Sequence, residues 1–212
     1  MADYSKTLNL PKTDFSMRAS LPQREQTMLP DGKKREIYAA IRKKNAGKPR
    51  FILHDGPPFS NGSIHMGTSM NKVLKDFIVK YKNMTGFDAP YVPGWDNHGM
   101  PIESAIIKKN KLDRKSMSVP DFREACRKFA EDFVHIQRDQ FIRLGVLGDW
   151  EHPYLTMDPK FEAEEVKVFG EMYKKGYIYK GLKPVYWCPT DETALAEAEI
   201  EYKDVPCRTI YV

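Results

Sequence analysis

Three observations predict an α/β fold. Short apolar runs such as Phe51-Ile52-Leu53 are bounded by proline and glycine and are too short to be helices. Longer stretches follow them in which apolar residues recur at threes and fours. A glycine- and proline-rich loop joins the first run to the first strong helical stripe, and such strand-to-helix junctions are where open α/β sheets bind ligands.

Taken in order, residues 1–30 carry Pro11 and Pro22 without a sustained period and read as an irregular arm, closed by a turn at Asp31-Gly32. Ile37, Ala40 and Ile41 place a basic amphipathic helix over Lys33–Lys44, stopping before Gly47 and Pro49. Phe51-Ile52-Leu53 reads as a buried strand that delivers His54 and Asp55 into the loop ending at Gly67. The next helix has Met70, Leu74, Phe77, Ile78 and Tyr81 on one stripe and stops near Gly86. A second short strand from Asp88 leads to the loop Gly94-Trp-Asp-Asn-His-Gly-Met-Pro101.

Ser118, Pro120 and Asp121 resemble a capped helix start, followed by Phe122, Cys126, Phe129, Phe133, Ile136, Phe141 and Leu144 as the core face of a long helix ending at Gly145. Asp158-Pro159 opens another, with Phe161, Val166, Phe169 and Met172 expected inside and Gly176 just past its end. A strand is expected at Pro184–Trp187, then an alanine- and glutamate-rich stretch over Thr193–Glu201, then a β-like segment from Tyr202 to Val212.

With 41% hydrophobic and 12% aromatic residues, the 212-residue chain can build a core, which excludes disorder and collagen. The net charge of +5 suits an anionic substrate or nucleic acid, but carries little weight alone. Cys126, Cys188 and Cys207 have neither a disulfide framework nor CxxC spacing, so a zinc site is not expected and Cys188-Pro189 reads as a turn. No apolar run of membrane-spanning length and no leader pattern is present; a cytosolic protein is expected.

Two motifs carry chemistry. In His65-Met-Gly-Thr68, a glycine lets a phosphate approach the backbone and an imidazole can donate to phosphate oxygens; its place at a helix start adds the anion preference of that terminus. Alone, a histidine beside a glycine is more often a cap or turn residue. In GWDNHGMP, Asp96 offers a carboxylate for an ammonium group and His98, a weaker candidate, an imidazole for a polar substrate; otherwise the segment is a turn. The basic run Lys33, Lys34, Arg35, Arg42, Lys43 and Lys44 could meet RNA phosphates, although such runs are usually solvated helix faces.

HDGPPFSNGSIHMG, NKVLKDFIVKYKNMTGFDAPYVPGWDNHGMPIE and WCPTDETALAEAEIEY together resemble the N-terminal catalytic part of the isoleucyl-tRNA synthetases, in register from Leu10 to the end. The valine, leucine and methionine families share the signature loops, but HDGPP and ALAEAEIEY look most like the isoleucine family. The resemblance implies the first half of a Rossmann-like class I catalytic domain. It divides the chain into an arm and basic helix (1–48), the half-domain (49–205) and the start of an editing insertion (206–212). It further implies isoleucine, ATP with Mg²⁺ and tRNA(Ile) as partners, and a monomeric parent. His65, Gly67 and Thr68 would bind ATP, with His65 and Thr68 catalytic; Gly56, Pro57, Pro58 and Asp96 would hold the amino acid and adenylate.

Two departures stand out. The family signature is His-x-Gly-His, whereas the fourth position here is Thr68, and the second signature, KMSKS, is not in this chain. Losing one charge-assisted donor to a developing phosphate charge costs on the order of 2–4 kcal/mol of transition-state stabilisation. The alternatives are a synthetase-like paralogue that binds adenylate or tRNA without ligation, and another adenylyltransferase with the same signature.

Overall fold

The computed structural model describes residues 4–9, 14, 20–34 and 36–210, with side-chain detail for all of these except 5 and 31–34. Pro11, Arg35 and the side chains of Lys33 and Lys34 lie outside the described set. The chain divides into two compact units, Met1–Glu164 and Glu165–Val212.

Instead of an irregular arm, helix α1 runs over Leu21–Lys34 and takes in both Pro22 and the expected Asp31-Gly32 turn. Pro22 stands in the first turn, where its missing N–H has no partner to lose, and the helix-forming run Gln23–Met28 carries the helix past Pro30. The break comes at Glu36, whose φ of 49° is left-handed, and α2 follows over Ile37–Asn45. Helix α3 spans Met66–Met84, α4 Met100–Asn110 and α5 Val119–Arg143. Helix α4 has no counterpart in the sequence reading. It begins inside the GWDNHGMP loop, with Gly99 at φ 85° and Pro101 in its first turn.

Three segments run parallel. Strand β1, Gly94–Trp95, pairs with β2, Tyr154–Leu155, with Gly94 opposite Tyr154 and Trp95 opposite Leu155. On the other side of β1, single parallel bridges join Arg50 to Asp88 and Phe59 to Asp96. The buried strand expected at 51–53 is therefore extended chain between the bridges at Arg50 and Phe59, with Phe51 and Leu53 partly buried and Ile52 exposed. Pro49, Pro57, Pro58, Pro90 and Pro93 lack the N–H groups that a continuous ladder requires.

Two apolar clusters fill this unit. Val79, Tyr91, Trp95, Val134, Phe141, Val146 and Trp150 form one, and Ile102, Ile106, Phe122, Phe129, Ala130, Phe133 and Met157 the other; Leu155 packs against both. Helix α5 follows its predicted periodicity for most of its length: Ser118 caps it by accepting from the Asp121 N–H at 3.3 Å, and Phe122, Phe129, Phe133 and Phe141 are buried, whereas Ile136 and Leu144 of the expected core face are exposed. Helix α3 inverts the expectation. Its stripe of Met70, Leu74, Phe77, Ile78 and Tyr81 is exposed, while Lys72, Asp76 and Val79 are buried.

Helix α6, Pro159–Lys174, forms as predicted with Gly176 beyond it at φ 75°, yet Val166, Phe169 and Met172 are exposed. In the second unit, β3 (Trp187–Cys188) pairs antiparallel with β4 (Thr193–Ala194). The turn between them is tied through Cys188, whose thiol lies 3.3 Å from the Asp191 carboxylate and accepts from the Asp191 N–H at 3.5 Å. The β-like segment after Tyr202 has no strand partner within 202–210, so its propensity stays unused.

Candidate functional site

His65 is the cap of α3. Its Nδ1 accepts from the backbone N–H groups of Gly67 at 3.1 Å and Thr68 at 3.3 Å, satisfying two of the helix's free donors. Because Nδ1 accepts, the hydrogen of the neutral ring sits on Nε2 and points to the Thr68 hydroxyl 3.0 Å away. The hydroxyl hydrogen of Thr68 is thereby free to donate outward. A Cβ at Gly67 would lie 3.0 Å from the imidazole, a tight contact that the ring could relieve only by giving a few tenths of an ångström. The three residues of the first motif thus meet at one helix terminus.

The second motif gathers around Thr156. Its hydroxyl accepts from the Asn97 N–H at 2.9 Å and lies 3.5 Å from the Asp96 carboxylate, while His98 Nε2 lies 3.2 Å from its carbonyl and so donates. His98 Nε2 is also 3.4 Å from Glu162. Asn97 Nδ2 donates to Ser60 Oγ at 2.8 Å, and Asn97 Oδ1 is a buried acceptor without a hydrogen-bond partner among the described residues. Asn97 and His98 also line a cavity of about 410 Å³ between the starts of α4 and α5.

Gly56, Pro57 and Pro58 join this group through the backbone, since the Asp96 N–H donates to the Pro58 carbonyl at 2.9 Å. The residue that couples the loop to α3 is one the sequence reading passed over. Asp55 is fully buried and accepts from Lys72, from Lys75 at 2.7 Å and from the Gly94 N–H at 3.0 Å. Burial pushes its carboxyl up, but Lys72, Lys75 and the Gly94 N–H outweigh burial and hold it below the usual carboxylate value. Burial pulls the Lys72 ammonium down to about 8, against the attraction of Asp55. The Tyr154 hydroxyl donates to the Asp55 carbonyl, and its ring lies where a Cβ on Gly94 would be, which makes glycine obligatory there. That ring stacks between His54 at 5.5 Å and Phe161 at 5.7 Å.

From α5, Gln137 donates to the carbonyls of Phe59 and Gly62 at 2.9 and 2.7 Å and accepts from Trp95 Nε1 at 3.0 Å; Gln140 accepts from the Ile64 N–H at 2.9 Å. The available signal for these residues was weak. Polar residues on an otherwise apolar helix face mark a buried partner without saying which one. Of the basic run, Arg42 is spent on an ion pair with Asp88, while Lys43 and Lys44 are exposed.

Residues 28–210 match the class I tRNA synthetase family for isoleucine, leucine, methionine and valine. The chain belongs to that family. It is 61% identical over 210 residues to the isoleucine–tRNA ligase of Carboxydothermus hydrogenoformans and 60% identical to that of Natranaerobius thermophilus. Each alignment covers 99% of this chain and 23% of the relative, so this class I synthetase chain spans under a quarter of the length of those enzymes. Among solved structures, a LeuRS from Agrobacterium radiobacter K84, in a ternary complex with tRNA and LeuAMS, superposes with a TM-score of 0.65. That match has 22% identity over 85% of this chain and 21% of the LeuRS, and it supports the class I fold.

Proposed function

We propose that this chain is the N-terminal, Rossmann-like part of the catalytic region of an isoleucine–tRNA ligase. In this reading it takes ATP with Mg²⁺, isoleucine and tRNA(Ile) as substrates, and works in the cytoplasm as a monomer. The observation that carries the reading is the 61% identity to an isoleucine–tRNA ligase across 99% of the chain. No helix among the described residues is long and apolar enough to cross a membrane.

The proposed chemistry is adenylate formation. An isoleucine carboxylate oxygen attacks the α-phosphorus of ATP, the bond to the leaving oxygen breaks and pyrophosphate departs; a terminal hydroxyl of tRNA then takes the aminoacyl group and releases AMP. The site needs to position two substrates and stabilise phosphate charge, with no protein nucleophile. The amino end of α3 offers a positive dipole end beside His65, Gly67 and Thr68; because His65 Nδ1 caps the Gly67 and Thr68 N–H groups, a phosphate would take those two donors only by displacing the imidazole. Thr68 supplies a neutral donor in the place of an imidazole, and the hydrogen bond from His65 Nε2 leaves that donor available. Asp96, half-buried beside Thr156, offers the carboxylate for the substrate ammonium, and Gly56, Pro57 and Pro58 offer an N–H-poor wall for the amino acid and adenylate. His98 is left as a rim residue paired to Glu162. In this reading Mg²⁺ arrives with the ATP phosphates; among the described residues no group of three His, Cys, Asp or Glu side chains could hold a metal ion.

Isoleucine-dependent exchange of pyrophosphate into ATP by the full-length protein tests the reading. Exchange with isoleucine and none with an unrelated amino acid is expected. Its complete absence in a folded protein would favour the second reading, a binding paralogue, for which Thr68 is the specific observation.

A further inference from the structure

The segment Asp55-Gly-Pro-Pro-Phe59 has an unusual problem of attachment. Pro57 and Pro58 carry no N–H, so this stretch can be gripped mainly through its carbonyl oxygens. Four of those carbonyls receive donors, each from a different part of the chain. Tyr154 Oη donates to Asp55, Lys75 Nζ to Gly56 at 3.2 Å, the Asp96 N–H to Pro58 at 2.9 Å and Gln137 Nε2 to Phe59 at 2.9 Å. Lys75 does more than the others, because the same ammonium also meets the Asp55 carboxylate at 2.7 Å.

Asp55 in turn holds Lys72 and the Gly94 N–H. Lys72 is 1% exposed, with the rings of Phe141, Tyr91 and Trp95 at 5.0, 5.7 and 6.0 Å from its ammonium. A buried ion pair is a weak source of stability compared with apolar residues of the same volume. What it supplies is direction: a carboxylate with three donors in place fixes the distance and angle between the elements that carry them. Those elements are the 55–59 loop, the helix capped by His65 and the strand leading to Asp96.

We propose that Lys75, with Asp55 and Lys72, is a positioning residue that locks the Gly56–Pro58 loop to α3, and so sets the amino acid against the ATP phosphates. The proposal rests on the adenylate-forming reading given above. It concerns how the two half-sites are held together, beyond what each half binds.

The test is Lys75→Met in the full-length protein, compared with Lys75→Arg and Tyr154→Phe. With positioning lost, kcat/KM for isoleucine in pyrophosphate exchange falls roughly tenfold to a hundredfold, the KM for ATP stays within about threefold, and Lys75→Arg recovers most of the loss. Tyr154→Phe keeps the ring stack and loses one carbonyl donor, and gives a smaller fall of the same kind. A loss confined to the folded fraction, with both KM values unchanged and no rescue by arginine, overturns the proposal, as does full activity in Lys75→Met. Hydrogen exchange at the Ser60 and Asp96 amides separates this outcome from a failure of the functional reading. Both amides are hydrogen-bonded between the loop and β1, to Asp96 O at 3.1 Å and Pro58 O at 2.9 Å. Their exchange accelerates by about tenfold in Lys75→Met whether or not isoleucine is the substrate. Unchanged exchange sinks the proposal even if the wild-type protein makes no adenylate.

Discussion

Helices α3 and α5 are both amphipathic, but they use their two faces in opposite ways. Helix α5 buries Phe122, Phe129, Phe133 and Phe141. Helix α3 buries Lys72 and Asp76 beside Val79 and leaves Phe77 61% exposed. The difference shows that a hydrophobic stripe reports a surface to be covered, whereas the inside of a given unit is decided by which polar groups find full partners there. Lys72 has Asp55, and Asp76 has Lys80 at 2.6 Å and the Leu147 N–H at 3.0 Å. The sharpest way to break the comparison is Phe141→Ala. Phe141 has no exposed surface and stacks on Trp150 at 5.9 Å, so truncation costs about 3–5 kcal/mol in urea unfolding of the first unit. A loss under about 1 kcal/mol would mean that α5 does not organise this core.

How much was legible follows from the same contrast. Helix α5, its Ser118 cap and the His65-Gly67-Thr68 terminus were readable because periodicity, capping and glycine are local signals. Helix α1 is hidden in the sequence because prolines ordinarily signal breaks, although Pro22 occupies the first turn, which tolerates it. Helix α4 was missed because its start lies inside a turn-like motif, at Gly99. Asp55, Lys75 and Gln137 were invisible as site residues. Their importance depends on partners 20, 39 and 78 positions away, and one sequence carries no record of such pairings.

Lys72→Met sharpens the charged side of the comparison. The variant retains the aliphatic bulk, and Asp55 keeps Lys75 and the Gly94 N–H, so the loss at neutral pH is about 1–3 kcal/mol, below the cost of an unpaired buried charge. The pH dependence has a definite sign. The ordinary lysine value is 10.5 and burial lowers Lys72 to about 8, so between those values the unfolded chain holds a proton that the folded chain has released. Raising pH through that window therefore favours the folded state, and the urea midpoint of the wild type rises relative to Lys72→Met. A difference that is flat from pH 8 to 10.5 would contradict the burial of the ammonium.

Tyr154 gives the opposite slope. Burial, then the nearby Asp55 and Asp96 charges, push its hydroxyl from 10.0 up to about 12. Between these values the folded chain keeps a proton that the unfolded chain has lost, so stability falls as pH rises. Tyr154→Phe flattens that part of the alkaline denaturation curve, and an unchanged slope would remove Tyr154 from the account.

The smallest effect on stability belongs to the exposed stripe. Phe77→Glu on α3 changes the unfolding free energy by less than about 0.5 kcal/mol, because a side chain already in water gives up no burial. Its effect on association is large. Met70, Leu74, Phe77, Ile78, Tyr81 and Met84 form one exposed apolar face along the helix, and contiguous faces of this kind are sites of interaction or aggregation. The isolated 212-residue chain is therefore expected to self-associate as its concentration rises, and Leu74→Glu with Phe77→Glu to shift it toward monomer in sedimentation while its melting curve stays in place. If the double variant unfolds instead, the stripe is part of a core after all, and the contrast between α3 and α5 disappears. If it stays folded and still associates, the sticky surface lies elsewhere and the inversion of α3 has no consequence for association.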